Sequence, residues 1–206
     1  KGEYRPSEEH TFAPALCNRI DRNTEGLVIA AKNAGALRAM NEAIRNRQVH
    51  KFYLAVTAAP LPQKEALCTA WLKKDNRTNY VTVAAQPAGE DWQKICTKYR
   101  VLAQNGHHQL VRIELLTGRS HQIRAHLAYL HAPLLGDPKY GKNPKCREKG
   151  MEENQCLCAY SLLFSGLSAS CLSYLEGKQV TAAMPSFAEK YFPNALRTQS
   201  EKTDHQ

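Results

Sequence analysis

Leu16 to Lys32 reads LCNRIDRNTEGLVIAAK, a polar cluster around Asp21 that passes through Thr24-Glu25-Gly26 into the apolar run Leu27–Ala31. A short apolar run after a glycine, bounded by turn chemistry, predicts a buried strand. Asp21 then lies in a loop delivered by that strand, with Arg19 and Arg22 to either side. Positive charge on both flanks favours the ionised carboxylate. Taken alone, an Asp-Arg-Asn turn is ordinary, because Asp and Asn supply turns readily.

A second stretch changes that weighting. Thr117 to His131 reads TGRSHQIRAHLAYLH. Ile123, Leu127 and Leu130 fall at helical spacing, which predicts an amphipathic helix over Ser120–His131 that Pro133 stops. The Thr-Gly turn would offer backbone N–H groups at the helix start, where anions bind. Arg119, His121, Gln122 and Arg124 crowd that end with hydrogen-bond donors. Arginine there opposes the helix dipole, so its placement invites a functional explanation.

The remaining segments supply a scaffold. Residues 1–15, with Pro6 and Pro14, read as loop, and Asn33 can cap a helix to about Asn46 through Leu37, Met40 and Ile44. Lys51–Val56 reads as a strand pointing Phe52, Leu54 and Val56 one way and Tyr53 and Ala55 the other. Leu67–Leu72 and Tyr80–Ala85 are predicted strands around the basic turn Lys73–Arg77, and Gln86–Asp91 is a break. Lys94–Leu102 and Gln109–Leu116 form a hairpin around Asn105-Gly106, with Arg112 and Glu114 opposite Val111, Ile113 and Leu115. Gly136-Asp137-Pro138 is a turn, and Lys139–Glu153 is a polar segment carrying Lys142, Lys145 and Arg147. Cys156–Phe164 and Leu167–Tyr174 read as closing strands, with a short one near Val180–Met184. The pattern is one mixed helix-and-strand domain over residues 1–196, not a βαβ array, followed by a disordered tail over 197–206.

Composition narrows the partners. The chain has 206 residues, 43% of them hydrophobic, enough for a full core, and a formal net charge of +9 that points to a polyanion. No apolar run approaches the length of a membrane span, and no signal-peptide pattern opens the chain. Its 7 cysteines are scattered without a C-x-x-C, which suits reduced thiols in a cytoplasmic protein. His121 and His126 lack the i, i+4 spacing of paired ligands on one helix, so no metal site is expected.

Asn18-Arg19-Ile20-Asp21-Arg22-Asn23-Thr24-Glu25-Gly26-Leu27 resembles the H-R-L-D-R-x-T-x-G-L motif of the RluA-type pseudouridine synthases. Lys51-Phe52-Tyr53-Leu54-Ala55 is similar to their K-x-Y-x-A motif, and Thr97 to Leu102 to their T-x-Y-x-V-L strand. Thr117 to Leu127 matches T-G-R-T/S-H-Q-I-R-x-H-L, and Gly136 to Gly141 matches G-D-P-x-Y-G. The resemblance implies an α+β, pseudouridine synthase-like catalytic domain, with a mixed, mostly antiparallel sheet, flanking helices and a basic RNA cleft. It implies isomerisation of uridine in RNA, ribosomal or transfer, by a monomer without cofactor or metal. Asp21 would be the catalytic carboxylate, Tyr53 would pack on the base and Arg119 would pair with Asp21. Arg19, Arg22, His121, Gln122, Arg124, Lys142, Lys145 and Arg147 are the candidate RNA contacts. Asn18, Ile20 and Cys158 stand where the family usually has His, Leu and His. The family's upstream K-P-x-G strand and appended RNA-binding domain have no counterpart in these residues, so an open sheet edge is expected. A catalytically silent RNA-binding module and a phosphate-handling enzyme are the alternatives; no P-loop supports the latter.

Overall fold

Local sequence breaks the opening motif into short pieces that grip other strands. The computed structural model describes residues 12–141 and 152–193; residues 1–11, the candidates Lys142, Lys145 and Arg147, and the 197–206 tail lie outside the described residues. Ala15–Leu16 (β1) pairs antiparallel with Ala30–Ala31 (β3), and Glu25–Gly26 (β2) lies between them in sequence. The expected strand over Leu27–Ala31 is therefore corrected: only Ala30–Ala31 (β3) is strand there, and β2 lies just before it. Gly26 has φ +108°, and a Cβ there would lie 2.3 Å from the Ala159 carbonyl oxygen. The chain turns away at that close approach, which a glycine alone accommodates without strain. Leu27 and Ile29 still turn inward to the core beneath the following helix.

That helix, Ala34–Arg45 (α1), starts where Asn33 Oδ1 accepts from the Ala36 N–H at 2.8 Å, as its capping residue predicts. The sheet is built from Val49–Thr57 (β4), Glu65–Asp75 (β5), Tyr80–Ala84 (β6), Gln93–Asn105 (β7) and His108–Leu115 (β8). Helix α2 (Gln122–Tyr129), strands β9 (Leu157–Phe164) and β10 (Gln179–Thr181), and helix α3 (Ser186–Tyr191) complete the described elements. The 8-stranded sheet runs β10-β9-β4-β8-β7-β5-β6, with β2 attached to β9. The β2–β9 ladder is parallel and the others are antiparallel, so the fold is α+β with a mixed, mostly antiparallel sheet.

Alternation along β4 sends side chains into two cores. Tyr53 and Ala55 join Tyr99, Val111, Ile113, Ile123 and Leu127 beneath α2. Val56 points the other way, to Leu110, Leu135, Cys156, Cys158 and Phe187 beneath α3. A third cluster packs Met40 and Ala43 of α1 on Val49, Leu162 and Phe164. Helix α3 has no counterpart in the sequence reading.

The expected strand over Leu167–Tyr174 is also corrected. That stretch is a series of turns with a 3-10 turn at Ser173–Leu175. Ser170 Oγ donates to the Leu167 carbonyl and accepts from the Leu172 N–H, while the Glu176 carboxylate accepts from the N–H groups of Gly166 and Leu167. Serine competing locally for backbone groups displaces the ladder that the apolar alternation suggested.

His126 on α2 is buried, its Nδ1 3.0 Å from Thr97 Oγ1. Burial pulls its pKa from 6.5 to about 4, so the imidazole is neutral in the fold and charges on unfolding in mild acid. The stability this supplies is present in full above about pH 6.5 and is lost as pH falls towards 4. Urea unfolding between those limits should show stability falling by up to ~1.4 kcal/mol per pH unit from this group. In His126→Gln that component of the slope should be missing.

Candidate active site

The Asp21 loop is clamped at both ends. Below it, the Cys17 N–H donates to the Ile29 carbonyl at 2.8 Å and Asn18 Oδ1 accepts from the Ile29 N–H at 2.8 Å. Above it, the Leu27 N–H donates to the Ala159 carbonyl at 2.8 Å, and Gln155 Nε2 donates to the Arg22 carbonyl and Thr24 Oγ1. The Thr24 N–H closes the turn on the Asp21 carbonyl at 3.1 Å. Asp21 is thereby carried to the start of β9, with Ile20 packed on the core beneath α2.

Arg124 meets Asp21 there. Its Nη1 lies 3.7 Å from Asp21 Oδ2, an ion-pair separation longer than a hydrogen bond. The same guanidinium makes a two-bond fork to Asp137, Nε to Oδ2 at 2.7 Å and Nη2 to Oδ1 at 3.0 Å. Asp137 Oδ1 also accepts from the N–H groups of Lys139 and Tyr140. Burial pushes the Asp137 carboxyl up, but the Arg124 fork and those N–H donors outweigh it and hold it below its ordinary value. The Tyr140 ring lies under the guanidinium at 5.3 Å, and its hydroxyl accepts from the Val81 N–H and lies 2.8 Å from His121 Nδ1.

Over this layer opens a cavity of about 130 Å³ lined by Arg19, Asp21, Lys51, Tyr53, Arg119 and His121, among others. Burial, then the negative charge of Asp21, pushes the Tyr53 hydroxyl up to about 12, so it stays protonated at neutral pH. Phe52 points to the opposite face, where Arg112 sits 4.3 Å over its ring. The aromatic ring beside the carboxylate is therefore Tyr53. Its hydroxyl can donate a proton in a hydrogen bond, Asp21 can accept one or attack carbon, and the cationic rim can hold an anion. No group of three or more His, Cys, Asp or Glu able to hold a metal occurs among the described residues.

The structure gathers Asp21, Tyr53, Arg19, Arg119, His121 and Gln122 around the cavity. Three expectations are corrected by burial and geometry. The guanidinium paired with Asp21 is that of Arg124, not Arg119, because Arg124 points inward from α2 whereas Arg119 is exposed in the preceding turn. Gln122, expected as an RNA contact, is buried; it donates to the Cys96 carbonyl and Thr97 Oγ1 and accepts from Thr117 Oγ1 and the Arg119 N–H. Arg124, expected in the same role, is buried between two carboxylates. Arg22 is exposed on the Asp21 loop. Asp137 and Tyr140 fall in the Gly136–Gly141 motif but carried no assigned role in the sequence, and Gln155 was not singled out, since an Asp in a Gly-Asp-Pro turn signals turn chemistry and nothing there names its partner.

The sequence model of the RNA pseudouridylate synthase family matches residues 1–129. An uncharacterized RNA pseudouridine synthase of Mycoplasma genitalium is 36% identical over 167 residues, covering 80% of this chain and 51% of that protein. Ribosomal large subunit pseudouridine synthase D of Borreliella burgdorferi is 29% identical over 134 residues, 65% of this chain and 40% of that protein. Synthase C of Buchnera aphidicola is 33% identical over 127 residues, 61% of this chain and 39% of that protein. The chain thus spans about half, or less, of the length of these relatives. Human RNA Pseudouridylate Synthase Domain Containing 1 superposes with a TM-score of 0.70 over 94% of this chain and 81% of that one, at 20% identity. Human RNA Pseudouridylate Synthase Domain Containing 4 gives 0.67 over 89% and 75%, at 24% identity. At those identities the likeness is one of fold.

Truncating the charge that holds Arg124 should be costly. Asp137→Asn leaves a buried guanidinium without its fork, an imbalance that typically costs about 3 kcal/mol. Urea unfolding at pH 7 measures it, and a loss below about 1 kcal/mol would show that the fork contributes little.

Proposed function

This chain belongs to the RNA pseudouridylate synthase family, and from that premise we propose that it isomerises uridine in structured RNA to pseudouridine, with Asp21 as the reacting carboxylate. Large-subunit ribosomal RNA is the substrate class favoured, by analogy with the relatives of that name. The observation that carries the reading is a carboxylate ion-paired to a buried arginine at the floor of a cavity, beside an aromatic ring and beneath a cationic rim.

The reaction breaks the bond from ribose C1′ to uracil N1 and makes one from C1′ to C5; a proton leaves C5 and one is gained at N1. No atom is added, so the site must supply a nucleophile or base, a surface for the detached ring and exclusion of water. Asp21 is suited to the first role. The Tyr53 ring, buried and neutral, is suited to the second, with the target nucleotide flipped out of its RNA to reach it. Arg124 orients the carboxylate through its ion pair, while Arg19, Arg119 and His121 face the incoming RNA.

Asp21→Asn keeps the size of the side chain and removes the reacting group. Pseudouridine formation should fall by several orders of magnitude while RNA affinity is retained. Residual turnover above about 1% of wild type would remove Asp21 from the chemistry. Arg124→Lys keeps the charge but not the planar fork. Single-turnover rates should drop on the order of 10²-fold, about 2.7 kcal/mol of positioning; a rate within threefold of wild type would mean that charge alone suffices.

A further inference from the structure

Lys51 is a cation in the cavity with no role in the scheme above. Strand pairing places it opposite Leu115 on β8, two residues before Tyr53, which lies opposite Ile113. Alternation therefore sends Lys51 and Tyr53 to the same face, and both line the cavity. Lys51 is half-buried between the β8 and β9 partners Leu115 and Leu162. Among the described residues its ammonium has neither an ion pair nor a hydrogen bond. Burial pulls its pKa below the ordinary lysine value, the response of a cation taken from water without a counter-ion.

The charges around it are unbalanced. Arg19, Lys51 and Arg119 are cations lining the cavity, and Asp21 is the lining carboxylate. Asp21 is already paired with Arg124, whose charge is shared with Asp137. The charge left over around the cavity is positive. Arg19 and Arg119 are exposed at the rim, where water screens them, while Lys51 is withdrawn along the wall that leads to Tyr53. A ligand that brings a negative charge as its base reaches Tyr53 would relieve the cost of burying that ammonium.

We propose that Lys51 is a phosphodiester ligand: it binds a phosphate flanking the target uridine, and so fixes how far the nucleotide enters beside Tyr53. The inference rests on the uridine-isomerase reading and adds to it a positioning contact on the RNA backbone. A merely structural lysine, with its stem covering Leu115 and its charge left in water, is the competing account.

The test compares wild type with Lys51→Met, which keeps an apolar stem, and Lys51→Arg, which keeps the charge. Each is given an RNA that wild type binds, either with normal linkages or with one neutral methylphosphonate on the 5′ or the 3′ side of the target uridine. Lys51→Met should bind roughly tenfold more weakly and lower the slope of log affinity against log salt by ~0.7, the value of one single-strand phosphate contact. Lys51→Arg should restore that slope. One of the two methylphosphonates should weaken binding to wild type and leave binding to Lys51→Met unchanged. An unaltered salt slope in Lys51→Met, or equal methylphosphonate penalties in both proteins, overturns the proposal. If Lys51→Met does not fold, Lys51→Gln is read by the same criteria. Pseudouridine is mapped in the same samples: if wild type forms none in any RNA that it binds, the isomerase reading fails, whereas an unaltered salt slope in Lys51→Met overturns the Lys51 contact alone.

Discussion

The fork between Arg124 and Asp137 is the constraint on which the site depends. A guanidinium near the start of α2 opposes the helix dipole, and burying it adds a desolvation cost. Two hydrogen bonds that Arg124 donates to Asp137 offset both, and two backbone N–H groups fix Asp137 in turn. The helix and the Gly136–Gly141 turn that follows it are thereby held to the Asp21 loop, which lies far away in sequence. Removing either charge would leave the other buried without its two-bond partner.

Tyr140 extends that constraint across the sheet. Its hydroxyl takes the Val81 N–H on the β6 edge and meets His121 at the helix start, while its ring lies under Arg124. His121 itself has φ +54°, a left-handed backbone uncommon for a residue with a Cβ. Burial pulls its pKa down, and Asp21 opposes that pull. The turn from β8 into α2 is therefore held by side chains on both sides, with Gln122 Oε1 occupying the Arg119 N–H and removing it as an anion donor. The cations that line the cavity are instead side chains, Arg19, Lys51 and Arg119.

Strand alternation divides labour between the two faces of β4. Tyr53 faces the cavity and Phe52 the other side, and the ladder to β9 shifts register between them. On the Phe52 face Glu65 meets Lys98 and Arg100, and Arg112 stacks over the Phe52 ring. On the cavity side Arg19, Lys51 and Arg119 outnumber the lining carboxylate Asp21, so the basic balance of the whole chain has a local counterpart at the site.

The sequence by itself determined what depends on neighbours along the chain. The Asn33 cap, the Asn105-Gly106 hairpin, the alternation that sends Tyr53 inward and the helix after Thr117-Gly118 are local patterns, and each is present in the fold. The motif run also put Asp21, Tyr53 and the α2 donors in one candidate site. Tertiary structure alone decided which arginine meets Asp21. Arg119 and Arg124 share one short motif, and spacing cannot say which is exposed in the turn and which is buried beside Asp137. It likewise decided that Gln122 braces the turn instead of facing solvent, that Gly26 ends one short strand against Ala159, and that serine hydrogen bonds unmake the strand expected over Leu167–Tyr174. Burial and charge pairing depend on distant segments arriving at one point, and a linear pattern carries no record of that arrival.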